Sequence, residues 1–167
     1  MFELGKRLLP GAGYLAPLGK EPENGQNRWF RRLAEGVFDE PNLIARTNEL
    51  ADFLIETAAG TRRVALGFSN GANIAGSLLL LRPEVFSAAA LLAPMVPLRP
   101  SEFPDLTGRP VLMVCGERDP IVPMANAEAL ADMLSSAGAS VSIHWHAGGH
   151  FLGRPEWDLV GSWLRGL

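Results

Sequence analysis

A chain of 167 residues, 47% of them hydrophobic, has the length and apolar content for a single core and therefore a single domain, residues 1–167. It sets 15 Lys plus Arg against 18 Asp plus Glu, with no basic block of about five or more, which excludes a phosphate-steered nucleic-acid partner. No apolar run reaches the roughly 18 residues of a membrane span, Glu3, Lys6 and Arg7 stand where an export signal would be apolar, and the lone Cys115 allows no internal disulfide, so the cytoplasm is the expected location and an integral membrane protein is not.

Short apolar runs alternate along the chain with longer helical patterns, the signature of parallel strands joined by crossover helices, and the fold class is α/β. A first short strand is predicted at Tyr14–Ala16, then a long surface loop over Pro17–Asn27, which is rich in Gly, Pro and Asn. Asn42–Thr57 reads as a helix: Leu43, Leu50 and Leu54, with Ile44 and Ala51 beside them, recur at helical spacing, and Pro41 suits a first helical position. Strand Arg63–Phe68 leads into helix Ser69–Leu81. Strand Ala88–Leu92 leads into an irregular stretch, Pro94–Pro110, that holds five prolines. Strand Val111–Cys115, helix Ala125–Ala137 closed by Gly138, strand Val141–Trp145 and helix Trp157–Leu164 complete the pattern.

The strongest chemical signal is Gly67-Phe68-Ser69-Asn70-Gly71, placed where an apolar strand ends and a helix begins. A serine on so tight a turn needs close neighbours without Cβ atoms, and Gly67 and Gly71 are expected to supply that absence. The turn would present the Ser69 hydroxyl at the carboxyl edge of the sheet, with the N–H of Asn70 at a helix start able to donate to an oxyanion. A plain glycine-rich turn with Ser69 as helix cap is the bland alternative.

A serine hydroxyl is a poor nucleophile until a base takes its proton and a carboxylate orients that base. Gly116-Glu117-Arg118-Asp119-Pro120 follows a strand and offers Asp119 as the acid, preferred over Glu117 because the rigid Pro-Ile-Val-Pro text follows it. Gly148-Gly149-His150 follows the last strand and offers His150 as the base, its glycines letting a short loop swing the imidazole inward. The order Ser, Asp, His is that of α/β hydrolases. His144 and His146 share one strand face but have no third ligand at matching spacing, so no metal is assigned. Cys115 closes an apolar strand and reads as an inert buried thiol.

GFSNGANIA at Gly67–Ala75, LAPMVPL at Leu92–Leu98, GERDPIVP at Gly116–Pro123 and GGH at Gly148–His150 together resemble the phospholipase/carboxylesterase branch of the α/β hydrolases, the small bacterial esterases related to dienelactone hydrolase. Gly19–Glu40 fits the same branch, and the likeness runs from about Leu8 to the end. The resemblance implies a parallel-sheet α/β-hydrolase fold and a cofactor-free serine esterase acting on a small-molecule ester. It places Trp29 and Phe30 near the mouth of the substrate site and Met95 with Val96 along its wall. A binding module without catalysis, or an acyltransferase or thioesterase on the same scaffold, are the rivals, and self-association is left open. The family also carries a strand ending in His-Gly ahead of a helix matched here by Phe2, Leu4, Leu8 and Leu9, between Tyr14–Ala16 and the strand before Ser69. Without that motif the resemblance implies an N-terminally incomplete fold with one oxyanion donor and an open sheet edge. An upstream start is preferred to a second segment filling the gap or to a degraded remnant.

Overall fold

The computed structural model describes residues 2–167, the side chain of Phe2 excepted, so the apolar role expected of that side chain lies outside the described residues. The elements in chain order are α1 (Phe2–Leu8), β1 (Glu21–Glu23), β2 (Gln26–Arg28), β3 (Arg32–Ala34), β4 (Val37–Phe38), α2 (Glu40–Thr57), β5 (Val64–Phe68), α3 (Asn70–Leu81), β6 (Ala88–Leu92), β7 (Pro110–Gly116), α4 (Met124–Ser136), β8 (Ser140–His146) and α5 (Arg154–Arg165). Four strands form a parallel sheet in the order β5-β6-β7-β8. The fold is α/β, with helices on both faces of the sheet.

Two-sided burial explains why the strands read as continuous apolar runs rather than as an alternation. Successive side chains point to opposite faces, so Ala89, Leu91, Val111, Met113 and Cys115 pack with α3 and α4. Ala90, Leu92, Leu112 and Val114 pack instead with Leu8 of α1 and with Val160 and Leu164 of α5. α2 lies outside α3, its Leu43 packed with Ile74 and its Ala51 and Leu54 with Leu78. Asp39 caps α2 by accepting from Asn42 N–H at 3.1 Å, which puts Pro41 at the second helical position. α4 closes as expected, with Gly138 at φ +94° just beyond it.

The sequence reading is corrected in two places. The segment read as one loop, Pro17–Asn27, contains most of a hairpin, β1 paired antiparallel with β2, and a second hairpin pairs β3 with β4. Asn24 and Gly25 both take positive φ, 49° and 77°, as a two-residue hairpin turn of the favoured twist requires. Glu21, on β1, is buried and anchors this hairpin to α2 by accepting from Asn42 Nδ2 and Arg46 Nε, each at 2.8 Å. The Asn42 amide first, and then the Arg46 guanidinium, hold its carboxyl below the usual carboxylate range. The second correction concerns Tyr14–Ala16, which forms no strand, because nothing among the described residues supplies a ladder for it. Cavities of about 790 and 570 Å³ separate this segment from β5, both lined by Tyr14, Val64 and Leu66, and the outer edge of β5 pairs with no described strand.

Candidate active site

The turn after β5 is held in a conformation that few residues accept. Ser69 has φ 52° and ψ −116°, its N–H donates to Leu92 O at 2.8 Å, and its own carbonyl starts the helix by accepting from Asn73 N–H at 2.9 Å. The reason for Gly67 is visible: a Cβ there would lie 2.3 Å from Gly71 O. Gly71 is different, and the expectation that its Cβ would collide is corrected, since that atom would meet only Trp29 Nε1, at 3.7 Å. It is the Gly71 carbonyl that crowds Gly67.

The Ser69 side chain makes no capping bond to its helix, which removes the bland reading of the turn. Its Oγ lies 2.9 Å from His150 Nε2, and His150 Nδ1 lies 2.7 Å from Asp119 Oδ2. The structure thus brings the three residues together from turns after β5, β7 and β8. The His150 and Asp119 side chains are only 8% and 1% exposed, so bulk water does not compete for the bonds between them. Asp119 Oδ1 accepts from the N–H groups of Ile121 and Val122 at 2.8 and 3.0 Å, the physical content of the Pro-Ile-Val text after it. The ring of His150 packs against those of Phe68 and Phe151, with centroids 5.2 and 5.6 Å away.

The loops carrying Asp119 and His150 are stitched to each other. Glu117 N–H donates to His146 O at 2.9 Å and Arg118 N–H to Gly148 O at 3.0 Å, which carries the β7–β8 pairing beyond the strands. Gly116 permits that approach, since a Cβ there would lie 2.2 Å from Gly149 O. Neither Gly148 nor Gly149 has a positive φ, so the left-handed freedom of glycine is not used there; a Cβ at Gly148 would instead lie 2.7 Å from His146 Nδ1, so that glycine makes room beside the His146 ring. Glu117 is exposed and takes no part in the relay. Cys115 is buried, and desolvation first, with the nearby Asp119 charge second, pushes its thiol up to about 12. Among the described residues no group of three or more His, Cys, Asp and Glu side chains could hold a metal ion.

The other predicted site residues divide. Asn70, the first residue of α3, has one of the helix N-terminal N–H groups that no helical carbonyl can reach. Its side-chain Oδ1 accepts from Trp29 N–H at 2.7 Å, while Nδ2 is buried without a partner among the described residues. Trp29 is half-buried and lines the larger cavity together with Phe68, Asn70 and Gly71. Phe30 is 0% exposed, packed edge-on to Phe38 beside Leu43, Ile74 and Leu98, and has no surface left to offer a ligand. Met95 is buried and Val96 half-buried, their N–H groups donating to Asn73 Oδ1 and Asn126 Oδ1, each at 2.8 Å. Those asparagines went unremarked in the sequence. Asn73 stands three residues after Asn70 on the same helix face, a spacing that could have marked it.

Comparison with known proteins matches residues 10–156 to the model of a serine hydrolase family, FSH1. The chain belongs to this serine hydrolase family. Within reach of it is MhqD of Bacillus subtilis (strain 168), a protein named as a hydrolase, 42% identical over 170 residues that cover 99% of this chain and 85% of that one. A Bacillus cereus carboxylesterase of known crystal structure superposes with a TM-score of 0.94 at 41% identity, over 98% of this chain and 80% of its own. A carboxylesterase from Mesorhizobium loti superposes at 0.90 with 34% identity, over 99% and 81%. Family and fold agree with the resemblance read from the sequence, and this family member is an enzyme. No helix among its described residues is long and apolar enough to cross a membrane.

Proposed function

We propose that the protein hydrolyses carboxylic esters of small molecules through an acyl-enzyme, with Ser69 as nucleophile, His150 as general base and acid, Asp119 as the group that orients the imidazole, and the Asn70 N–H as an oxyanion donor. The observation that carries the reading is the unbroken relay, Asp119 Oδ2 to His150 at 2.7 Å and His150 to Ser69 Oγ at 2.9 Å. A carboxylate at Nδ1 favours the tautomer with its proton there, leaving Nε2 free to accept the hydroxyl proton as Oγ attacks the ester carbonyl carbon. The carbonyl oxygen becomes an oxyanion as that bond forms, beside the N-terminus of α3. When the tetrahedral intermediate collapses, the ester C–O bond breaks and the alcohol leaves with the proton from Nε2. Water then attacks the acyl carbon, giving its proton to Nε2, and Ser69 departs with that proton as the acid is released.

Trp29, Met95 and Val96 are assigned to the acyl pocket and Phe30 to the packing behind it. Short-chain or aryl esters are the proposed substrates, because the described chain has no long insertion that could form a lid over an apolar tunnel. A location in the cytoplasm agrees with a single cysteine kept as a buried thiol. Intact-mass measurement after treatment with a fluorophosphonate tests the mechanism. One adduct is expected, absent in Ser69→Ala, together with release of p-nitrophenol from its acetate ester. A parent protein that neither labels nor hydrolyses would leave a binding module as the better reading.

A further inference from the structure

Two phenylalanines adjoin the imidazole of His150, and they are unequally buried. Phe68, the residue before Ser69, has its ring 5.2 Å from the imidazole and packs against the apolar cluster of α1 and α5. Phe151, the residue after His150, sets its ring edge-on to the imidazole, with centroids 5.6 Å apart and planes at 81°, and lies 5.9 Å from the ring of Phe68. Yet Phe151 is 78% exposed, the most open large apolar side chain among the described residues. A lone exposed phenylalanine needs no explanation, but this one extends a patch of three rings that includes the imidazole bonded to Ser69 Oγ.

The proposed chemistry assigns that patch to one part of the substrate. In acylation the proton taken from Ser69 sits on His150 Nε2 and passes to the departing alcohol oxygen, which must therefore come within about 3 Å of Nε2. The acyl carbon is bonded to Ser69 Oγ, and the carbonyl oxygen turns to the Asn70 N–H. What stands beside the imidazole therefore meets the alcohol part. In an aryl ester the ring begins at the atom bonded to that oxygen, and aromatic pairs attract edge-on or offset at centroid separations of about 4.5–7 Å. A small alkyl alcohol has no ring face to offer.

We propose that Phe151, backed by Phe68, is the binding face for an aromatic alcohol group, so that the enzyme selects esters of phenols and naphthols over esters of small alkyl alcohols. The proposal rests on the hydrolase reading above and names the leaving group it takes. The phenol departs with the proton from Nε2 as the ester C–O bond breaks. Phe151 touches the substrate and takes no part in proton transfer.

The test compares naphthyl acetate with ethyl acetate on the parent, Phe151→Ala and Phe151→Trp. Both esters pass through the same acetyl-enzyme, so only its formation feels the alcohol. In Phe151→Ala, kcat/KM for naphthyl acetate is expected to fall about ten-fold and that for ethyl acetate to change by less than about two-fold. Breakdown of the acetyl-enzyme, followed by quenched intact-mass measurement, is expected to keep its rate. Phe151→Trp keeps an aromatic face and should retain the parental preference. Equal losses with both esters, or slower breakdown of the acetyl-enzyme, would mean that Phe151 merely steadies His150, which serves both steps, and would overturn the proposal. An unchanged preference in Phe151→Ala, or a Trp variant that behaves like Ala, overturns it as well. Calorimetric titration with naphthol supplies a readout independent of turnover: its Kd should rise about ten-fold in Phe151→Ala, and equal affinities overturn the subsite. A parent that cleaves neither ester refutes the hydrolase reading instead, while naphthol binding that depends on Phe151 would still support the aromatic face.

Discussion

Asp119 divides its work between two oxygens, and the division predicts what a single atom change does. Oδ1 is held by two backbone N–H groups and must remain an acceptor, so in Asp119→Asn the amide NH2 is forced towards His150 Nδ1. That nitrogen would then have to accept, its proton would move to Nε2, and Nε2 could no longer take the Ser69 proton. Turnover is expected to fall about 10⁴-fold with melting temperature nearly unchanged, as steady-state kinetics and calorimetry would show. Cys115 makes the opposite point, a reactive residue type disarmed by its surroundings. With its thiol raised from an ordinary 9.0 to about 12, thiolate is scarce at pH 8, and iodoacetamide should leave the folded protein unmodified while alkylating it once in guanidinium. Because the folded thiol holds its proton more tightly than the unfolded one, this contribution to stability is complete below pH 9.0 and declines as pH rises towards 12.

The turn at Ser69 shows how far an element can be read before it is seen. Its place after an apolar strand, the serine and the first glycine were all legible because each answers to a local constraint. The part assigned to Gly71 was not, because it depends on where Trp29 comes to rest, and Trp29 is 42 positions earlier in the chain. Gly67→Ala, whose methyl would sit 2.3 Å from Gly71 O, is expected to cost about 1–3 kcal/mol and to abolish fluorophosphonate labelling. Gly71→Ala, with 3.7 Å to Trp29 Nε1, is expected to stay within about 0.5 kcal/mol of the parent, so denaturant titration of the pair separates the two glycines. The hairpins passed unread for another reason. Asn24-Gly25 is a strong turn signal, but the strands around it, Glu-Pro-Glu and Gln-Asn-Arg, show no apolar alternation. Their support comes from the bonds between Glu21 and α2, which no pattern within the hairpin announces.

Across the whole molecule, the parallel sheet was legible because its central strands are buried on both faces and so declare themselves as apolar runs. Tyr14–Ala16 was misread by the same logic: a short run of suitable residues becomes a strand only where another strand receives its hydrogen bonds. The relay was legible because its members fall at strand ends in a known order, whereas the asparagines that hold the neighbouring loops act on backbone groups and leave no such trace. Position in the sheet also separates the members of the relay. Asp119 and His150 follow the paired neighbours β7 and β8, whose loops are bonded to each other, whereas Ser69 follows β5, at the opposite edge of the sheet from β8.

Both edge strands, β5 and β8, lead into members of the relay, and edge strands breathe more easily than the strands between them, so warming should part Ser69 from His150 before the centre of the sheet opens. Ester turnover is then expected to fade several degrees before the far-ultraviolet dichroism of the sheet collapses, and to return on cooling from that interval. Coincident loss of both signals would mean that the two edge strands are as firmly seated as the strands between them.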